Sequence, residues 1–320
     1  MCRDTAHASS RVRALQYVEP LRHLGHEVDT LIWQPHRSVE VARLAATLVT
    51  RARHADVVVL VKPRLHRIVL AAVARVQPNL WVDVDDAVWT WPPPFPDRLA
   101  QAGRLAQGFV AGSEFLAGRL RSRYPDATVA LVPTAVDTER YVPAPPRDPR
   151  PIVVGWIGGP ASLTDFAPPV AASLRALVAS GRVTVRIVCS EGLDPAVVPS
   201  ELVPWSDATE VASLQGFDVG IMPLRDDEQS WGRCGLKALQ YMAVGVPVVA
   251  TPVGAAVEII DDGVSGILAT SEADWFDAID RLASDSDARA VMGARGRRRV
   301  EDAYSVAVNA PLLARVLANA

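Results

Sequence analysis

Lysine is almost absent: Lys62 and Lys237 are the only two, although Lys and Arg together number 33. Where Arg serves nearly every role of a solvated cation, a lysine that remains answers to a constraint of shape or donor geometry that Arg does not meet. The plainer reading of Lys237, a solvated side chain in the first turn of a helix, stays open beside it. Cysteine is scarce too. Cys2, Cys189 and Cys234 are odd in number, far apart and without metal-ligand spacing, which excludes a zinc site or disulfide framework and reads as reduced thiols of a cytoplasmic chain. There is no run of about 18 uncharged apolar residues free of Pro and Gly, and MCRDTAHASSR has no apolar signal core, so no membrane span is expected.

Among the 320 residues, 49% are apolar and 22% charged, which excludes general disorder and supplies material for two cores. The net charge is −3, with 18 basic against 14 acidic residues in 1–142 and 15 against 22 in 143–320. No nucleic-acid partner is expected, and the slightly basic front half leaves peripheral contact with the inner face of a membrane open.

Short β-branched runs alternate with helical stretches along the whole chain, the pattern of parallel sheets with crossover helices. SSRVRALQYVEPLRHLGHEVDTLIW reads as a Ser-capped helix stopped at Gly25, then a strand over Val28–Ile32. A helix over Val39–Arg53 leads to DVVVLVKP, one over Leu65–Ala74 to LWVDVDD, and further helices to GFVAGS and TVALVP. VPAPPRDPRP then reads as a linker over 143–151, between a domain of residues 1–142 and one of 152–320. The second half repeats the scheme through IVVGWIGGP, VRIVCS, LVPW, FDVGIMPL, VPVVAT and SGILAT. Two helices rich in Arg and Asp are expected to close it, the last of them with the option of packing on the first domain. The fold class is α/β: two doubly wound, Rossmann-like parallel sheets facing across a cleft. The apolar strand that normally opens such a half is missing before Ser9, and a start placed too late is the favoured reason.

GWIGGPAS, FDVGIMPL, GRCGLKALQYMAVGVPVVATPVGAAVEIIDDGVSGILA and, in the first half, DVDDAVW and VPTAVDTERY resemble a retaining glycosyltransferase of the GT-B fold, in the large family 4 group. The resemblance spans nearly the whole chain and is most specific in the third segment. It implies that the C-terminal half binds a nucleotide-diphosphate sugar as co-substrate, without a metal or other cofactor, and the N-terminal half a glycan, lipid-linked or small-molecule acceptor. Cys234, Gly235 and Leu236 then form a helix N-terminus able to face a diphosphate, with Arg233 and Lys237 stabilising charge on the leaving group. No protein nucleophile is implied.

Further assignments follow from the same resemblance. Gly158 and Gly159 offer backbone amides where relatives place Arg and Lys, and Trp205 is either a wall for the nucleobase or core. Relatives carry Glu at the positions of Gly232 and Gln240. Gln240 keeps part of the ribose-binding role, and Asp226 and Asp227 either supply the sugar-contacting carboxylate or form a solvated loop. On the acceptor side stand Ser10, Arg11, Lys62, Asp85 and Asp86, the last two either as cleft-facing carboxylates or as caps for the following turn, with VWTWPPPFP as an acceptor wall or a surface loop. His66 is expected to be only a helix residue. Asp83–Asp86 also matches the short Asp-x-Asp metal signature of the other glycosyltransferase architecture, so a metal-dependent transferase ranks third, behind a non-catalytic auxiliary subunit.

Overall fold

Short, mostly apolar runs form Val58–Val61 (β1), Leu80–Val84 (β2), Gly108–Ala111 (β3) and Thr128–Leu131 (β4), and these pair in parallel in the order β1-β2-β3-β4. The structure, a computed structural model, describes residues 8–34, 38–62, 65–145, 151–166 and 168–318. It divides into two compact units: Met1–Ala135 with Trp231–Cys234 and Val306–Ala320, and Val136–Ser230 with Gly235–Ser305.

In unit 1, β2 is buried along its whole length. Leu80, Val82 and Val84 enter one core with Leu60, Phe109 and Leu116, while Trp81 joins Tyr17, Val110 and the closing helix Val306–Ala318 in another. Among the described residues no strand precedes β1. The strand expected over Val28–Ile32 reduces to a single bridge at Ile32. Leu31 and Trp33 are buried, and the Thr30 carbonyl accepts from Arg51 at 3.3 Å. Three helices close the chain rather than two: Glu272–Ser284, Ser286–Arg299 and the apolar Val306–Ala318, the last falling in unit 1.

Unit 2 holds Ile152–Ile157 (β5), Val183–Cys189 (β6), Glu201–Pro204 (β7), Val219–Met222 (β8), Val248–Ala250 (β9) and Ile267–Leu268 (β10) in the parallel order β10-β9-β8-β5-β6-β7. The chain moves outward from β5 to β7 and then returns to build the other side from β8. The order therefore reverses between β5 and β8, the place where open α/β sheets bind ligands beyond their carboxyl ends. The unit boundary at Val136 precedes the Pro-rich segment, most of which, 146–150, lies outside the described residues. Thr138 and Tyr141 belong to unit 2, where their carbonyls accept from Arg297.

Gly155 and Gly220 are register partners across β5 and β8. A Cβ on Gly155 would lie 2.0 Å from the Phe217 ring, and one on Gly220 2.4 Å from the Tyr241 ring, so these glycines let two aromatic rings lie on the sheet. The Tyr241 hydroxyl then accepts from the Ile157 N–H and donates to the Ile221 carbonyl, both at 3.1 Å. This ties the helix Leu236–Ala243 to the ends of both strands. Tyr241→Phe strands those two backbone groups in a dry core and is expected to lower the unfolding free energy by about 1–3 kcal/mol. A urea midpoint equal to that of the wild type would refute the account.

Candidate functional site

The turn before the helix Leu236–Ala243 is made by Gly235 at φ 67°, a left-handed conformation that favours glycine. A Cβ there would also meet the Ile259 side chain at 2.4 Å. The first N–H groups of a helix have no intrahelical acceptor and, with the macrodipole, favour an anion. Lys237, in this first turn, places Nζ 5.0 Å from the centre of the buried Trp156 indole at the end of β5. Its Cε lies 2.8 Å from where a Cβ on Gly158 would stand. Gly158, Gly235, Leu236 and Lys237 thus meet beside the strand reversal, and a Cβ added to Gly159 meets nothing within 4 Å.

One turn further on, Gln240 Nε2 donates to the Tyr141 hydroxyl at 3.1 Å and to Glu210 Oε1 at 2.9 Å. Glu210 also accepts from Tyr141 and, on Oε2, from Trp205 Nε1 at 2.8 Å. Burial, then the neighbouring Glu210 carboxylate, pushes the Tyr141 phenol up to about 12, so it remains a hydrogen-bond donor. Trp205 is therefore tethered in this polar network and only half-buried, which separates it from the apolar core of its unit.

In unit 1 the acidic run Asp83–Asp86 faces protein cations. Asp83, on the face of β2 that carries Trp81, is gripped by Arg13: Nε lies 3.1 Å from Oδ1 and Nη2 2.7 Å from Oδ2. Arg13 also donates to the Val132 carbonyl at 3.0 Å. Lys62, at φ 48° where non-glycine residues are uncommon, sets Nζ 3.3 Å from Asp85 Oδ1, 3.8 Å from Asp86 Oδ2 and 5.0 Å from the centre of the Trp91 ring. Burial works to lower the Lys62 pKa, but Asp85 and Asp86 overcome it and hold the ammonium above its usual range. Burial works to raise Asp85, and Lys62, the Ser9 hydroxyl and Arg13 outweigh it, so this carboxylate sits below its usual range. For Asp86 burial wins, aided by Asp85 and opposed by Lys62 and Arg233, and the carboxyl is raised to about 6.

Arg233 and Cys234 fall in unit 1, whereas Gly235, Leu236 and Lys237 fall in unit 2. Arg233 acts on Asp86. The Cys234 side chain belongs to the core of unit 1, and burial, then Asp85, drives its thiol far above the usual range. Gly232 has its own steric reason: a Cβ there would stand 2.3 Å from Ala87 Cβ and 2.6 Å from its backbone nitrogen. No side chain fits, so the carboxylate that relatives carry at this position has no room in this chain.

The remaining expected residues separate. The Asp227 carboxylate accepts from the Ser230 N–H at 2.8 Å, capping the turn Glu228–Trp231, and lies 3.8 Å from Arg225. Asp226 is exposed beside it. Ser10 is buried and Arg11 half-buried in the opening helix Ala8–Arg13. His66 caps the helix Arg67–Val76, accepting at Nδ1 from the Ile68 N–H at 3.4 Å. In the aromatic, Pro-rich stretch Trp91 packs edge-on against Phe95 at 5.1 Å.

Comparison with solved structures bears on the fold. Alr3699/HepE of Anabaena, in complex with UDP and glucose, superposes with a TM-score of 0.66 over 94% of this chain and 89% of its own, at 17% identity. Sucrose-phosphate synthase of Thermosynechococcus elongatus gives 0.62 over 92% and 82%, at 15% identity. The fold is GT-B. Residues 163–285, all but 231–234 of them in unit 2, match the model of the family described as Glycosyl transferases group 1. A D-inositol 3-phosphate glycosyltransferase of Paenarthrobacter aurescens is 36% identical over 31% of this chain and 22% of its own length. One from Actinosynnema mirum is 27% identical over 58% and 50%. The chain thus spans from about a fifth to half of these curated relatives.

Within this GT-B chain the reading of the sequence missed Arg13, Glu210, Tyr141 and Trp156. Arg13 and Glu210 carried no signal, since each is an ordinary helix charge until its partner is known. Trp156 adjoins the quoted Gly-Gly turn and was legible as a neighbour of the site. Asp86 gives a pH test. A carboxyl whose pKa rises on folding adds stability below the unfolded value of about 4, and this is lost as pH climbs through about 6. Asp86→Asn lacks that loss, so its melting temperature is expected to gain on the wild type between about pH 4.5 and about pH 7.5. A gap independent of pH would contradict the raised value.

Proposed function

We propose that this chain moves a sugar from a nucleotide-diphosphate sugar to an acceptor hydroxyl, with retention at the anomeric carbon and without a metal. The observation that carries the reading is Lys237, held over Trp156 at Gly158 in the first turn of a helix beside the β5/β8 reversal. Backbone N–H groups and a full positive charge converge there on the space a diphosphate would take. As the glycosidic bond breaks, negative charge grows on the leaving diphosphate, and a cation fixed beside it favours the transition state over the ground state. Structures of Alr3699/HepE hold UDP and UDP-glucose, which makes UDP the first donor base to try.

Unit 1 carries the acceptor in this reading. Asp85 and Asp86 present hydrogen-bond acceptors and Lys62 a donor, a set suited to hydroxyl groups, while Ser10 and Arg11 stand on the helix next to Ser9, which bonds Asp85. The family match lies in unit 2 except for 231–234 and so bears chiefly on the donor. Metal independence rests on charge already present: Arg13 neutralises Asp83, and Lys62 neutralises Asp85 and faces Asp86, so the Asp-x-Asp run is committed to protein cations. The lack of a carboxylate at 232 and 240 keeps one other reading alive, a GT-B subunit that binds nucleotide without turnover.

Lys237→Ala is expected to weaken UDP binding by roughly 10- to 150-fold, corresponding to about 1.5–3 kcal/mol for one charge-assisted contact, with Lys237→Arg less affected. Calorimetric titration reads this, and unchanged affinity in the alanine variant would end the assignment. Slow release of UDP from UDP-sugars, followed by phosphorus NMR, is expected to persist in EDTA. Loss in EDTA with recovery in manganese would favour the metal-dependent mechanism. Tight nucleotide binding with no donor consumed would favour the auxiliary subunit.

A further inference from the structure

The Gln240 side chain, in the proposed donor site, is fully engaged on its donor end. Both amide N–H groups are used, one on the Tyr141 hydroxyl and one on Glu210 Oε1, and no hydrogen bond reaches its carbonyl oxygen among the described residues. Glu210 is 1% exposed and gathers donors from three separate parts of unit 2: the segment before β5, the residue after β7 and the helix Leu236–Ala243. It accepts from all three, so it decides which way the Gln240 amide turns, nitrogen towards Glu210 and oxygen away. Gln240 lies three residues after Lys237, hence on the same face of the helix. A ligand whose diphosphate rests at Lys237 extends along that face, and the group next to the diphosphate must donate hydrogen bonds to meet a carbonyl oxygen. The vicinal hydroxyls of a ribose do so. The Trp205 indole, tied to the other oxygen of the same carboxylate, is placed by the same group.

We propose that Glu210 is a positioning residue of the nucleoside site, orienting the Gln240 carbonyl towards ribose hydroxyls and anchoring Trp205. The inference rests on the donor reading above and adds a rule about charge. The Glu210–Gln240 pair holds one carboxylate, and its position within the pair can be exchanged but its number cannot be doubled. Gln240→Glu therefore brings a second carboxylate within hydrogen-bond distance of the first and removes the donor that joined them. With Glu210→Gln added, the amide introduced at position 210 donates to the carboxylate introduced at position 240, and the carbonyl at 210 still accepts from Trp205.

The test is UDP titration by calorimetry on the wild type, Gln240→Glu, Glu210→Gln, the double exchange and Lys237→Ala, with melting curves to follow folding. Gln240→Glu is expected to lose about tenfold or more in affinity and the double exchange to return within about threefold of the wild type. Glu210→Gln alone, which frees the Gln240 amide to turn, is expected to fall between them. A Gln240→Glu protein that binds UDP as well as the wild type overturns the proposal. So does a double exchange that fails to fold, or that folds without recovering affinity. If the wild type binds and Lys237→Ala abolishes binding while the exchange series leaves it unchanged, only the role of Glu210 falls. If the wild type binds no nucleoside diphosphate, the donor reading falls and this proposal with it.

Discussion

The Tyr241 hydroxyl, closed between the Ile157 N–H and the Ile221 carbonyl, is the contact on which the rest of unit 2 turns. Two adjacent strand ends diverge where the sheet order reverses, and one phenol bridges them. The ring reaches that position only because Gly220 leaves room for it on β8, next to its partner Gly155 on β5. Lys237 sits one turn earlier on the same helix, so the ammonium inherits its place from a hydrogen bond it does not make. In the proposed reaction, a position fixed in such a frame costs no reorganisation as charge develops on the leaving diphosphate.

Both lysines of the chain stand over indole rings, each with Nζ 5.0 Å from the ring centre. Their settings differ. Lys62 faces the Asp85 and Asp86 carboxylates and is neutralised within the protein. Lys237 passes so close to Gly158 that its Cε is 2.8 Å from a notional Cβ there. A compact ammonium on a thin stem fits such a passage, whereas a planar guanidinium is broader and carries its donors in a fixed fork. That is a physical reason for lysine in a chain that otherwise uses arginine.

The two departures from the resembled family are explained by different forces. At position 232 the backbone of Ala87 occupies the space of any side chain, so the loss of a carboxylate is steric. At position 240 the change is electrostatic. A second carboxylate beside Glu210 would have to leave water, meet a like charge and give up the amide donor that joins the pair, each of which opposes burial. Neither change removes the helix N-terminus or the lysine.

Much of the fold was legible from composition and period. Buried parallel strands announce themselves as short apolar runs, and each of LWVDV, GFVA, IVVGWI and VRIVC became a strand because its residues suit a pleated surface covered on both sides. The turn at Gly235 and the lysine after it were equally visible, since glycine at a left-handed position and a cation in a first turn are local facts. Pairings between distant residues were not. Arg13 with Asp83, Gln240 with Glu210 and Tyr141, and Gly232 against Ala87 join positions separated by 30 to about 145 residues. Periodicity records which face of an element is buried, but not which side chain waits on the other side, so only the tertiary structure assigned these partners. The same holds for Val28–Ile32, which reads as a strand but forms one bridge at Ile32, while its Thr30 carbonyl accepts from Arg51.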